Sequence, residues 1–85
     1  MARYKVSIPL IDFSVEFLTV TMAITCFGSL LREEDIEEIV NDTFLQLDML
    51  NFEVGISDSF KFKEIQVERI KECWEWKSIS FGMLI

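Results

Sequence analysis

Fifteen Asp and Glu residues, two Cys and no His are what this 85-residue chain offers for chemistry. General acid-base or nucleophilic catalysis needs a positioned base, and the commonest one, His, is missing. Carboxylates alone could hydrolyse glycosides or hold a cation. The acids, however, concentrate in the run Glu33-Glu34-Asp35-Ile36-Glu37-Glu38, which reads as a solvated helix and lacks the Gly-containing spacing of a calcium-binding loop. Cys26 and Cys73 lie far apart, with neither a CxxC nor a Cys/His spacing, so no zinc site or disulfide framework is indicated. Two reduced thiols are expected, Cys26 packing as a small hydrophobe. The chain therefore reads as a protein with no catalytic residue, no cofactor and no metal, not as an enzyme.

Charge layout is more informative. The net charge is -7, and it comes from one segment: residues 33 to 60 hold nine acidic groups and no basic one. That argues against direct nucleic acid binding and for a partner protein with a basic surface. Glu33/Glu37, Glu34/Glu38 and Glu38/Asp42 are like-charge pairs four apart, each costing about 0.2–0.5 kcal/mol on a helix. The segment is either a solubilising face, with acids paired in space to Lys61, Lys63, Arg69 or Lys71, or a functional acidic surface. On the functional reading Glu33, Glu34, Asp35, Glu37, Glu38 and Asp42 are the partner-binding residues. Leu45 and Met49, opposite the apolar stripe of the same helix, then serve as an anchor inside a charged rim. Trp74 and Trp76 are either core or a second contact surface.

The elements that would position these residues follow from periodicity. Tyr4, Val6, Ile8 and Leu10 alternate with polar residues, and a second alternating run passes through Phe13, Val15 and Phe17, then Leu18, Val20, Met22, Ile24 and Cys26. This predicts a β-hairpin over about residues 3 to 26, with a bulge at the phase change and an edge or an end at Pro9. Ile36, Ile39, Val40, Phe44, Leu47 and Leu50 recur at helical steps, predicting one amphipathic helix over 31 to 49. Ser29 caps it, Asn51 ends it, and the stripe faces the core, so that Val40→Asp should unfold the domain. Phe52, Val54 and Ile56 read as a strand paired through Ser57-Asp58-Ser59 with Phe60 and Phe62. Residues 64 to 77 fit a helix or a strand, and strand is favoured by β-branched and aromatic content. Ile79, Phe81, Met83 and Ile85 alternate again as a last strand. The expected fold class is α+β: residues 1 to 85 as a single domain, a small antiparallel sheet with the helix packed on one face.

No uncharged run reaches the roughly 20 residues of a membrane span. With the reduced cysteines, this predicts a cytoplasmic protein without membrane contact. In its small size and in the acidic layout of Glu33 to Asp42, the chain resembles the phage-encoded inhibitors of host defence, anti-CRISPR proteins among them. That resemblance implies a non-enzymatic inhibitor in the host cytoplasm, whose acids occupy a positively charged nucleic-acid groove on a target. The alternative is a structural or assembly protein, a homodimer or larger oligomer built through strand edges and the C-terminal aromatics.

Overall fold

The computed structural model describes residues 2–71, and these form an α+β fold, a four-stranded antiparallel sheet with three helices packed against it. β1 (Ala2–Ile8) turns through a short 3-10 segment at Pro9–Ile11 into β2 (Phe13–Phe17). Pro9 starts that turn, and Asp12 completes it at a φ of 56°, a left-handed position Asp tolerates. Three helices follow, α1 (Val20–Ser29), α2 (Glu33–Val40) and α3 (Thr43–Glu53), and then the hairpin of β3 (Ser59–Phe62) and β4 (Ile65–Lys71). Strand order is β2-β1-β4-β3, so the helical segment connects the two edge strands.

Register divides the sheet into two faces. Val6 sits opposite Val15 and Val67, and Val67 opposite Phe60; with Tyr4, Ile8, Phe62 and Ile65 these make the face under the helices. The other face is polar, carrying Lys5 opposite Glu16 and Glu68, and Ser7 opposite Ser14 and Gln66. One apolar and one polar face is the usual division of an antiparallel sheet. Ala23 and Phe27 of α1 and Leu45 and Phe52 of α3 complete the core. Edge-to-face contacts join its rings: Phe27 lies 5.1 Å from Phe60, and Phe52 lies 5.3 Å from Phe60 and 6.2 Å from Tyr4. Burying each such side chain contributes about 1.5–3 kcal/mol.

Several expected boundaries are corrected. The hairpin ends at Phe17, and residues 20 to 29 form a helix rather than a continued strand. Its apolar residues satisfy both periods: Val20, Ala23, Ile24 and Phe27 are helically spaced, while Val20, Met22, Ile24 and Cys26 alternate. The local cap decides, because the Thr19 hydroxyl accepts the Met22 amide at 3.2 Å and starts a helix. Ser29 ends α1 instead of capping the next helix. The single helix expected over 31 to 49 is two, broken at Asn41-Asp42 where the Asp42 carboxylate takes the Leu45 amide at 3.0 Å. Asn51 and Phe52 lie inside α3, so residues 52 to 56 form no strand, and the hairpin partner of β3 is β4. Residues 65 to 71 are strand, as favoured from sequence. The expectations for Cys73, Trp74, Trp76 and the 79 to 85 strand lie outside the described residues.

Candidate protein-binding surface

Two apolar faces compete on α2 and α3, and packing chooses between them. The buried set is Leu45 and Phe52, with Ile39 and Met49 packed at its border. Of the set expected to be core, Ile39 alone faces inward, and the rest point outward: Ile36 is 49% exposed, Val40 66%, Phe44 83%, Leu47 53% and Leu50 53%. The predicted placement is inverted, and Val40 is a surface residue. Leu45, expected as an outer anchor, is buried at 8%, and Met49 lies half-buried against the core. The inversion has a clear origin. Phe52, read as strand, belongs to α3, and its fully buried ring meets Tyr4 and Phe60 edge to face and fixes the rotation of the helix.

The acidic candidates divide in the same way. Glu33, Glu34, Glu37 and Glu38 are exposed on α2. Asp35 is buried and structural: it accepts the Arg32 amide at 3.0 Å, as a third helical residue does in a capping box, and bonds the Lys63 ammonium at 2.5 Å. The Lys63 bond, then the Arg32 amide, hold its carboxyl below the ordinary aspartate range. Lys63 is correspondingly raised, chiefly by Asp35. It also lies 3.4 Å from Glu38, so one cation in the β3–β4 turn takes two acids of α2. Pairing in space thus accounts for part of the acidic segment. Asp42 is spent as the cap of α3.

What remains is an apolar stripe with acids along it. On α2, Ile36 and Val40 are four apart, with Glu33 and Glu37 each three residues before one of them, hence on the same side of the helix. Glu33, Glu34, Ile36 and Glu37 line one shallow depression there. On α3, Phe44, Leu47 and Leu50 step by threes, and Val54, 61% exposed just beyond the helix end, lies four after Leu50. Asp48 and Glu53 stand beside them at i+4 from Phe44 and i+3 from Leu50. The joint between the helices is bonded rather than open. Gln46 Nε2 donates to the Ile39 and Val40 carbonyls at 2.7 and 2.8 Å, and Asn41 Nδ2 donates to the Glu37 carbonyl at 3.0 Å. The Glu37 and Ile39 carbonyls also accept the Asn41 and Asp42 amides, so the side chains reinforce the end of α2, and Gln46 supplies a donor to the Val40 carbonyl. No protein-family model, curated protein or solved structure matches the chain.

Among the described residues no group of three or more Cys, Asp and Glu side chains could hold a metal ion, and no helix is long and apolar enough to cross a membrane. Cys26 is a free, half-buried thiol whose pKa burial pushes up, away from the range of a reactive thiolate. The exposed stripe was legible in sequence as a helical stripe. Only its direction required the packing of Phe52.

Proposed function

We propose that the chain is a non-enzymatic binding protein that uses the outer face of α2 and α3 to occupy a basic surface of a target protein, as an inhibitor of the anti-CRISPR kind would. One observation carries this reading: Ile36, Val40, Phe44 and Leu47 stand in solvent with carboxylates interleaved among them. Single exposed apolar residues are ordinary on a protein surface, but a row of them at helical spacing is the mark of a contact surface. Acids along the row select a cationic partner and speed encounter, and the apolar side chains slow dissociation. The candidate contact residues are therefore Glu33, Glu34, Glu37 and Glu38 with Ile36, Val40, Phe44 and Leu47 as anchors, in place of Leu45 and Met49.

The test is kinetic, on a target captured from a host lysate. Charge reversal at Glu33, Glu37 and Asp48 should lower the association rate and its salt dependence, while Phe44→Ser with Leu47→Ser should raise the dissociation rate tenfold or more. For a target that binds nucleic acid, the chain should displace that nucleic acid at equimolar ratio. Unchanged rates in folded variants would make the acidic stripe a solubilising face.

A further inference from the structure

The two edges of the sheet are unequal. β3 has four residues, two lysines at or beside it (Lys61 and Lys63), and a left-handed turn at Lys63 with a φ of 54°. Short length and lysines are how natural sheets discourage edge pairing. β2 is one residue longer and less protected, since its one charge, Glu16, is paired to Arg3 of β1 at 3.4 Å. Its sequence Phe13-Ser14-Val15-Glu16-Phe17 contains no Pro, Lys or bulge, and among the described residues it is paired on one side only, to β1. The surroundings of that edge are apolar and nearly neutral: Leu10, Ile11, Leu18 and Met22 are between 51% and 76% exposed, and α1 carries no charged residue. Phe17, Thr21, Met22, Thr25 and Cys26 line an apolar depression between α1 and the end of β2.

We propose that this edge is a homodimer interface, in which β2 pairs antiparallel with β2 of a second copy and joins the two sheets into one of eight strands. The inference rests on the sheet edge, independently of the acidic face. Charge selects both the occupant and the register. A chain of net charge -7 meets its own copy best where acids are few: α1 carries none, and β2 carries only Glu16, which Arg3 of β1 pairs at 3.4 Å. A two-fold axis at Ser14 would set Asp12 against Glu16, and an axis at Glu16 would set Glu16 against itself, both destabilising. An axis at Val15 sets Phe13 against the second copy's Phe17 and Ser14 against its Glu16, with no like charges opposed. Directly opposed residues share a face, so the helical layers of both copies lie on the same side, and α1 of each flanks the apolar depression of the other. The acidic stripes then stand on one face of the dimer, twice.

Sedimentation or light scattering across a concentration series should give twice the 10.0 kDa chain mass. Met22→Lys, at an exposed position that leaves the core intact, should weaken the dimer at least tenfold while far-UV circular dichroism stays unchanged. Phe44→Ser, on the opposite side of the helical layer, should leave the mass as it is. In a Cys26→Ser, Cys73→Ser background, Ser14→Cys and Glu16→Cys variants mixed together should form a disulfide under mild oxidation, and either one alone should not. A monomer at every concentration overturns the proposal, and protected Phe13–Phe17 amides in that monomer would assign the edge to another segment of the same chain. So does a dimer that survives Met22→Lys but dissociates with Phe44→Ser, since the helical stripe would then be the self-interface.

Discussion

Replacing Arg69 by Met should cost this domain much of its stability, for reasons that can be worked from geometry. Arg69 is on β4, on the helix-facing side of the sheet, with its side chain only 11% exposed. Nη2 donates to the Phe52 carbonyl at 2.8 Å, and Nη1 donates to the Ser57 carbonyl at 2.9 Å and to Asp58 Oδ1 at 2.8 Å. Its guanidinium also lies 5.1 Å from the Phe52 ring centroid and 5.6 Å from that of Tyr4. One planar group thus ties the end of α3 to the sheet through three acceptors and two rings. Hydrogen bonds to a charged group contribute about 1.5–3 kcal/mol each, and a partly buried cation over a ring adds roughly 0.5–2 kcal/mol. The Asp58 side chain is 60% exposed, so its pair with Arg69 is screened and adds less than about 1 kcal/mol. Met recovers some apolar packing. The net expectation is a loss of about 3–5 kcal/mol, most of it from the two charge-assisted bonds to backbone carbonyls: the Ser57 carbonyl is left without a donor, while that of Phe52 keeps the Gly55 amide at 3.2 Å.

Against the 5–15 kcal/mol typical of folded domains, that loss brings a small protein close to unfolding at ambient temperature. Urea titration followed by far-UV circular dichroism measures it, with the slope unchanged if the folded state keeps its shape. In a thermal scan the midpoint should fall by at least about 12 °C, taking roughly 4 °C per kcal/mol. Arg69→Lys is the control for charge alone: a single ammonium cannot reproduce the planar fork, so it should recover less than half of the loss. An Arg69→Met protein within about 1 kcal/mol of the parent, or an Arg69→Lys protein indistinguishable from it, would refute the clamp.

Val40→Asp and Phe44→Ser, placed in solvent by the structure, should each shift the urea midpoint by no more than about 0.5 kcal/mol equivalent, whereas Leu45→Asp should leave no cooperative transition, because it buries an unpaired carboxylate. The same titrations check all three, and a stable Leu45→Asp protein would overturn the assignment of the buried face. The Asp35–Lys63 pair predicts a defined pH dependence. Asp35 is held below its ordinary pKa, so its contribution is complete above the unfolded-state value near about 4 and disappears as pH falls through the lower folded value. Lys63 is raised, so its contribution is complete below about 10.4 and disappears as pH rises through the folded value. The stability gap between the parent and Asp35→Asn should therefore be flat across neutral pH and close below about pH 4; a gap unchanged between pH 7 and pH 2 would exclude the pair as its source.

The sheet was legible where alternation had no competitor, in β1 and β2, and residues 65 to 71, which fitted a helix as well, were decided by their β-branched content. Residues 18 to 26 carried both periods at once, and a single hydroxyl, that of Thr19, settles the choice by satisfying a helix start. Asn41-Asp42 was equally ambiguous, since a polar pair can ride on the surface of a helix or break it. The break follows from Asp42 turning its carboxylate onto the Leu45 amide and from Gln46 reaching back to two carbonyls. Asp35 resembled its acidic neighbours because what distinguishes it, Lys63, stands in a turn distant in sequence.

The direction of the α2–α3 stripe could not be read from periodicity at all, because both sides of α3 are apolar and amphipathicity names a face only when one side is polar. Long-range packing supplies the missing information, through Phe52 under Tyr4 and Phe60 and through the Arg69 bond to the Phe52 carbonyl. A helix apolar on both sides is expected where two surfaces must be covered, one by the chain's own sheet and one by something else. On the outer side, Phe44 at 83% exposure places a whole aromatic ring in solvent on a helix that has already satisfied its core. On the proposed reading a partner covers that ring, and the carboxylates placed beside it set the charge such a partner would bring.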